Sequence, residues 1–340
     1  MTALKQKIKK ITPEWVLGMY RDTSNILEWL MAFGHDKRRF VRYHARRRGG
    51  RPNASQLEAR LVFHSHAIEK GLSHQKTRLG FGQKALRSLA ENMALYEKNG
   101  YSLEGEAYKN SLSVISEYVA LHEKEDFDIG YLKEIFPLDV LSNAKKDISG
   151  LGGVTILNIN EKADNKNANF EKLFNGRSSV REYSDQPIDR EKINKVIEIA
   201  KKTPSICNRQ SSRITVIYDK EKIESALKIQ GGIAGYGLPP ALIMITTDTA
   251  AFVDVNERNQ IYTDGGLYAM SVLLGLEYVG LAACALNAMM SIKRDKKMRK
   301  ILNVPPSENI IMFISVGNFL ENNKVPKSFR YSSSIVSREM

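Results

Sequence analysis

A chain of 340 residues, 42% apolar and 26% charged, is long enough for a full core and about two domains. Its composition excludes a collagenous, low-complexity or disulfide-stapled protein. The two cysteines, Cys207 and Cys284, lack metal-ligand spacing and suggest a reducing compartment.

The net charge of +13 is unevenly spread. Residues 1–60 hold 14 Lys and Arg against 5 Asp and Glu, so +9 of it lies in the first sixth. No apolar run reaches the roughly 18 residues that span a bilayer. "MTALKQKIKK" lacks the apolar region of a signal peptide. A cytoplasmic protein is expected, with room for peripheral attachment to the inner face of the membrane.

In "TPEWVLGMYRDTSNILEWLMAFGH", Thr12 is the expected N-cap, Pro13 the first helical position, and Trp15, Met19, Ile26, Trp29 and Leu30 an apolar stripe. "DKRRFVRYHARRRGGRP" then alternates cations with Phe40 and Tyr43. It reads either as a solvated, partly disordered arm or as a surface that seeks phosphates. No nucleic-acid motif accompanies it, so an anionic membrane surface is the better functional partner and nucleic acid is not expected. Residues 1–52 form this basic amphipathic arm.

Residues 53–165 read as a helical domain and linker. From Ser55 to Phe136, Leu57, Leu61, Phe63 and Ile68, then Leu86, Leu89, Met93 and Tyr96, recur near three and four. Within "FHSHAIEKGLSH", His64, His66, Glu69 and His74 invite a metal reading. On a helix, however, His64 and His66 point about 200° apart, and no ligand pair at i, i+4 is present. These are read as structural, with no metal expected. All six histidines lie at or before His122. Residues 146–170 read as a linker or extended crossover, with the boundary near Asn165.

Residues 166–335 alternate helix and strand. Asp189 caps a helix whose buried face is Ile193, Val196, Ile197 and Ala200, with Pro204 beyond its end. "RITVIY" and "ALIMITT" read as strands, the second buried on both sides. "IYTDGGLYAMSVLLGLEYVGLA" is a long apolar helix suited to a domain centre or dimer interface, with Asp264 as its cap. "SIKRDKKMRKIL" is a surface helix capped by Ser291, and "NIIMFISVG" a central strand. "QGGIAGYGLPPAL" reads as a loop or lid, and Cys284 as a small buried apolar residue.

The densest chemistry is "FNGRSSVREYSDQPID". Arg177 and Arg181 offer forked donors, and Ser178 and Ser179 offer hydroxyls, for a phosphate or a polarised carbonyl. "VPKSFRYSSS" adds Lys327 and Arg330. The two clusters suit one anion site if folding joins them; otherwise they are surface ion pairs.

"RSSVREYSDQPIDREKINKVIEIAKKTPSICNRQ", "DGGLYAMSVLLGLEYVGLAACALNAM", "ILNVPPSENIIMFISVGNF" and "PKSFR" occur in the order seen in the FMN-dependent nitroreductase family. The resemblance covers about residues 165–335. "HAIEKGL" with "RLGFGQKAL" is similar to an extension of some longer nitroreductase-like proteins. The resemblance implies an α+β fold with a mixed sheet flanked by helices, preceded here by a mostly helical domain. It implies a homodimer sharing two FMN molecules. Arg177, Ser179 and Arg181 would hold the flavin's polar edge and ribityl-phosphate, with Ser178 where Arg or His is common. Pro204, Ser205, Asn208 and Gln210 match P-S-x-x-N-x-Q, part of which reaches flavin from the partner subunit. Ala285, Leu286 and Asn287 fall where a backbone N–H faces flavin N5. Lys327 and Arg330 match the phosphate-binding cations.

The implied chemistry is hydride transfer from NADH or NADPH to N5, then reduction of a quinone or nitroaromatic acceptor, with Arg181 and the Asn287 backbone tuning the flavin. No catalytic histidine or nucleophile is needed. Ser211 and Ser212 stand where Pro and an aromatic are usual, and Ala288 where glycine is commoner. These departures support an alternative: a binding or assembly protein of the same fold with a decayed flavin site, docked through its basic arm.

Overall fold

The computed structural model describes residues 13–46 and 51–340, and within the first helix the side chains from Ile26 onward. The expected cap Thr12, the "MTALKQKIKK" stretch, residues 47–50 of the arm, and the Trp15 and Met19 side chains lie outside the described residues. Helix α1, Glu14–Tyr43, carries the first part of the basic run, Lys37 to Arg42, that the sequence left open to disorder. Ile26, Leu30, Phe33 and Phe40 on it are exposed. Asp36 ties it down, accepting from Arg258 Nε at 2.8 Å and Nη2 at 3.1 Å, and that guanidinium holds the Asp36 carboxyl at about 2. Among the described residues no helix is long and apolar enough to cross a membrane.

The helical unit follows. Helix α2, Ala54–Leu72, opens on a capping box in which Asn53 and Gln56 satisfy each other's backbone N–H groups. It packs with α3, Gln83–Lys98, and α4, Glu106–Lys124, and with the shorter α5, Leu132–Ile135, and α6, Leu138–Lys145. Leu57, Leu61, Ile68, Leu86, Leu89, Met93 and Tyr96 are buried as their spacing requires. Phe63 is the exception at 59% exposed. It follows Leu61 by two positions and so turns about 200° from the buried stripe.

Gly71 and Phe81 couple the two motifs quoted from this region. A Cβ on Gly71 would sit 1.9 Å from the Phe81 ring, which is itself fixed between Tyr118 and His122. Gly71→Ala therefore overpacks the end of α2. It should cost about 1–3 kcal/mol, read as a lower urea midpoint with an unchanged slope.

Residues 146–170 are more than a linker. Strand β1, Val154–Asn158, pairs antiparallel with β6, Asn322–Pro326, near the other end of the chain. After α7, Phe170–Gly176, comes a sheet of order β2-β3-β5-β4: Ser212–Ile217, Ala241–Asp248, Glu308–Gly317 and Ala282–Asn287. Each ladder is antiparallel, which refines the expected mixed sheet.

Strand alternation explains the layers. Ile243, Ile245, Ile314 and Val316 face α8, Arg190–Ala200, and α10, Gln260–Tyr278. Leu242, Met244, Phe313 and Leu286 face α9, Lys220–Gln230, and α11, Ile292–Leu302. The result is a helix–sheet–helix sandwich with β3 buried on both sides. Helix α10 lies so close to the sheet that a Cβ on Gly265 would meet Ile311 at 2.5 Å and Thr247 at 2.6 Å. This helix begins at Gln260, four residues before Asp264, so Asp264 is not its cap.

Candidate anion site beside strand β4

Residues 177–181 run beside the start of β4. The Val180 N–H donates to the Ala283 carbonyl at 3.0 Å. The Tyr183 hydroxyl, 2.8 Å from the Val180 carbonyl and 2.7 Å from Ser315 Oγ, holds the strand end from the other side. The approach to Arg177 is fixed by a buried ion pair, Lys162 Nζ to Glu277 Oε1 at 2.7 Å. Asn165 Nδ2 also donates to the Glu277 carboxylate at 3.1 Å, and Lys162 reaches the Gly176 carbonyl.

Four cations converge here. Arg181 is buried, with Nη1 donating to the Ser179 carbonyl at 3.2 Å. Burial, and then the Arg330 guanidinium, press the Arg177 pKa down. Burial, and then Arg181, do the same to Lys70. Burial pushes the Cys284 thiol up, while Arg181, the Ser179 hydroxyl, Arg177 and Lys70 pull against that shift. Cys284 is fully buried and packs in the core, in keeping with its reading as a small apolar residue.

Among the described residues Lys70, Arg177, Arg181 and Arg330 form no ion pair. Arg330 donates, among the described residues, only to the neighbouring Ser328 and Phe329 carbonyls. Like charges drawn together with no ion pair of their own, Glu277 attracting Arg177 while paired to Lys162, suit an anionic group. Lys327 departs from the expected arrangement. Its ammonium lies 3.5 Å from Glu117 Oε1 and 3.2 Å from the Gly150 carbonyl, so it is engaged by the helical unit. Ser328, at φ +51°, turns the chain between Lys327 and Arg330.

Lys70 and its neighbours were not among the expected site residues. The glycine-rich stretch 230–242 clamps the end of α2: the Tyr236 ring stacks on His74 at 3.9 Å, and its hydroxyl donates to the Lys70 carbonyl at 2.5 Å. The Gln75 N–H donates to Glu182 at 2.8 Å. Only folding joins these positions, and the one local trace was the "HAIEKGL" motif itself. His66 and Glu69 pair with each other at 3.1 Å, and Glu69 also accepts from the Gly153 N–H at 3.1 Å.

Burial first, and Arg181 after Glu182's opposing pull, hold the His74 pKa below its ordinary value. The folded state therefore resists protonating it, and its contribution is intact above about pH 6.5. That contribution is lost progressively as pH falls from there toward the depressed folded value. His74→Asn should flatten the decline in urea midpoint between neutral and mildly acidic pH; an unchanged decline would remove His74 as the cause.

The 204–210 block lies apart. The Gln210 N–H donates to Ser205 Oγ at 2.8 Å, and Cys207, Asn208 and Gln210 take φ of 47°, 53° and 49°. Asp264, 2% exposed, holds this loop: it accepts from the Ile206 N–H at 3.2 Å and from Gln260 Nε2 at 2.7 Å. Pro204, Ser205, Gln210 and Ser212 line a hollow of about 200 Å³ with Asp264 at its wall, while Ser211 is buried. Among the described residues no hydrogen bond or pocket wall joins the block to the four cations.

At the far end of β4, Ala285 and Asn287 face outward and Leu286 faces the core, so only its backbone is open to a ligand. Gln230 Nε2 donates to the Asn287 carbonyl at 3.0 Å. Ala285, Asn287 and Ala288 border a hollow of about 500 Å³ with Tyr262. Ser178 is half-buried beside the cations.

Comparisons with known proteins match part of the chain. FMN reductase [NAD(P)H] of Bacillus subtilis is 26% identical over 115 residues, 33% of this chain and 45% of the relative. The chain thus spans less than half the length of that relative. An Archaeoglobus fulgidus protein named "Putative NADH dehydrogenase/NAD(P)H nitroreductase" is 27% identical over 148 residues, 43% of this chain and 83% of that protein. The solved FMN-dependent nitroreductase of Clostridium difficile R20291 superposes with a TM-score of 0.38 and 24% identity, covering 48% of this chain and 92% of the other. The family model described as Nitroreductase family matches residues 175–234 and 236–318. That match spans the segment holding the Arg177–Arg181 cluster, the 204–210 block and β4.

Proposed function

We propose that the protein is a flavin-dependent NAD(P)H oxidoreductase that binds FMN at the cationic end of β4. One observation carries this reading: Arg177, Arg181 and Arg330 converge with Lys70, and none has a carboxylate partner among the described residues. Within this cluster Arg177 and Arg330 are the pair suited to the FMN phosphate. The name of the Bacillus subtilis relative supports FMN as cofactor, and the names of both curated relatives support a nicotinamide reductant.

FMN, when bound, supplies the redox chemistry by taking hydride from a nicotinamide and passing electrons to a conjugated acceptor. The chain's own residues bind and orient. Arg177 and Arg330 would hold the phosphate, Ser179 would add a hydroxyl, and Arg181 would supply positive charge that favours the reduced group. The outward face of β4 offers Ala285 and the Asn287 backbone, steadied by Gln230. Acceptors of quinone or nitroaromatic type fit this chemistry.

Asp264 holds the 204–210 block through the Ile206 N–H, and among the described residues no hydrogen bond links the block to the cations. We assign it to the flavin of a partner subunit, in a homodimer with two shared sites. The exposed Tyr262 and Leu267 on α10 suit such an interface. On α1, exposed Leu30 and Phe33 precede Arg38, Arg39, Phe40 and Arg42, and this neighbouring of apolar and basic side chains supports contact with an anionic membrane surface. Vesicle sedimentation of the full chain and of a chain lacking residues 1–52 tests that role.

The visible spectrum of gently purified protein tests the main reading. Flavin bands should appear and bleach when NADH or NADPH is added without oxygen. A colourless chain that takes up no added FMN would overturn it. The binding-protein alternative, which rests on Ser211, Ser212 and Ala288, would then stand.

A further inference from the structure

Helix α2 turns one face to its core and leaves the other open. That open face walls a groove of about 650 Å³ with Val62, Phe63 and Ala67, closed opposite by Tyr331 and Ile335 from the C-terminal tail. Most of this lining is apolar. Of the titratable groups on it, Glu58 accepts from the Tyr96 hydroxyl at 3.2 Å, and His66 pairs with Glu69. Lys70 is different: it is half-buried, and among the described residues its ammonium has no hydrogen bond or ion pair. It also stands beside Arg181, so it joins the groove to the cationic end of β4. Glu58 and Lys70 are twelve residues apart, about 18 Å along the helix. The groove is therefore polarised, with its carboxylate at one end and a free cation at the end nearest Arg181.

We propose that this groove binds the oxidising substrate, and that the substrate is a flat aromatic acid, a conjugated electron acceptor carrying a carboxylate. The inference rests on the oxidoreductase reading for the substrate's fate, but not for its binding. The ring lies against Val62, Phe63, Ala67 and Tyr331, where apolar burial supplies affinity. The carboxylate points to Lys70 and away from Glu58. Neutral acceptors gain the first contribution and not the second. The helical unit thus becomes the specificity element of the flavin domain, which explains why the glycine-rich stretch holds α2 so firmly at Ser73 and His74.

Calorimetric titration of the full chain with 4-nitrobenzoate and with neutral 4-nitrobenzyl alcohol tests this. The wild type should prefer the acid. Lys70→Met should weaken acid binding about 10-fold or more and narrow the acid-to-alcohol ratio, with Lys70→Arg restoring most of it. Ala67→Trp, which fills the groove, should weaken both ligands. Wild-type protein that binds neither ligand, or variants that bind both as the wild type does, would overturn the proposal. The titration reads binding whether or not flavin is present. A flavin-free chain with the expected titration would sink the redox reading alone, and a bleaching flavoprotein indifferent to these substitutions would sink the groove alone.

Discussion

Glu277→Ala should be the most destabilising single change considered, at about 3–5 kcal/mol. Its carboxylate is 5% exposed and receives Lys162 Nζ at 2.7 Å and Asn165 Nδ2 at 3.1 Å. Truncation would leave the Lys162 ammonium, itself 6% exposed, buried without a counter-charge. Two charges in a dry site gain little over two apolar groups, but one alone is costly. Lys162→Met with Glu277→Leu should therefore recover much of the loss, and thermal unfolding of the single and double variants measures the difference. The consequence reaches the anion site. Lys162 also holds the Gly176 carbonyl, the last support before Arg177. Glu277→Ala should weaken FMN binding as well as the fold. If the double variant melts as low as the single, an unpaired charge is not the cause.

The parts legible in the sequence were those written in local pattern. Asp189 and Ser291 cap their helices through the Glu191 and Arg294 N–H groups, as short polar side chains before an amphipathic run should. "ALIMITT" is buried on both faces because α8 and α10 cover one and α9 and α11 the other. Long-range chemistry left little trace. Asp264 looks like a cap in "IYTDGG", yet α10 starts earlier at Gln260 and places the carboxylate under the 205–211 loop. Lys327 and Arg330 look like one cluster, yet the left-handed turn at Ser328 sends the lysine to Glu117 and leaves the arginine beside Arg177. β1 was hidden in a polar, glycine-bearing stretch because its partner β6 lies near the opposite end of the chain. Lys70 drew no reading from the sequence. Its position beside Arg181 depends on Tyr236 clamping the end of that helix, and no local pattern carries such a contact.

Arg177→Ala should act in opposite directions on the flavin-free protein and on flavin binding. In the free protein the Arg177 guanidinium is half-buried near Arg330 with no carboxylate paired to it among the described residues, and burial and Arg330 both press its pKa down. Removing it relieves like-charge repulsion and a desolvation cost that together outweigh the attraction of Glu277. The melting temperature without FMN should therefore hold or rise. With FMN the same side chain gains an anionic partner, and a charge-assisted hydrogen bond is worth about 1.5–3 kcal/mol. Affinity should then fall by about 10-fold or more, read from quenching of FMN fluorescence. The stabilisation that FMN gives the wild type should shrink to match, because a ligand raises stability only as far as it favours the folded state. An arginine serving only as structural support predicts something else: a lower melting temperature without FMN and little change in affinity. Measuring both quantities on one variant separates a binding cation from a scaffold cation. Arg330→Ala should behave alike, since the repulsion between the two is shared, whereas Lys327→Ala should lower stability by breaking its contact with Glu117.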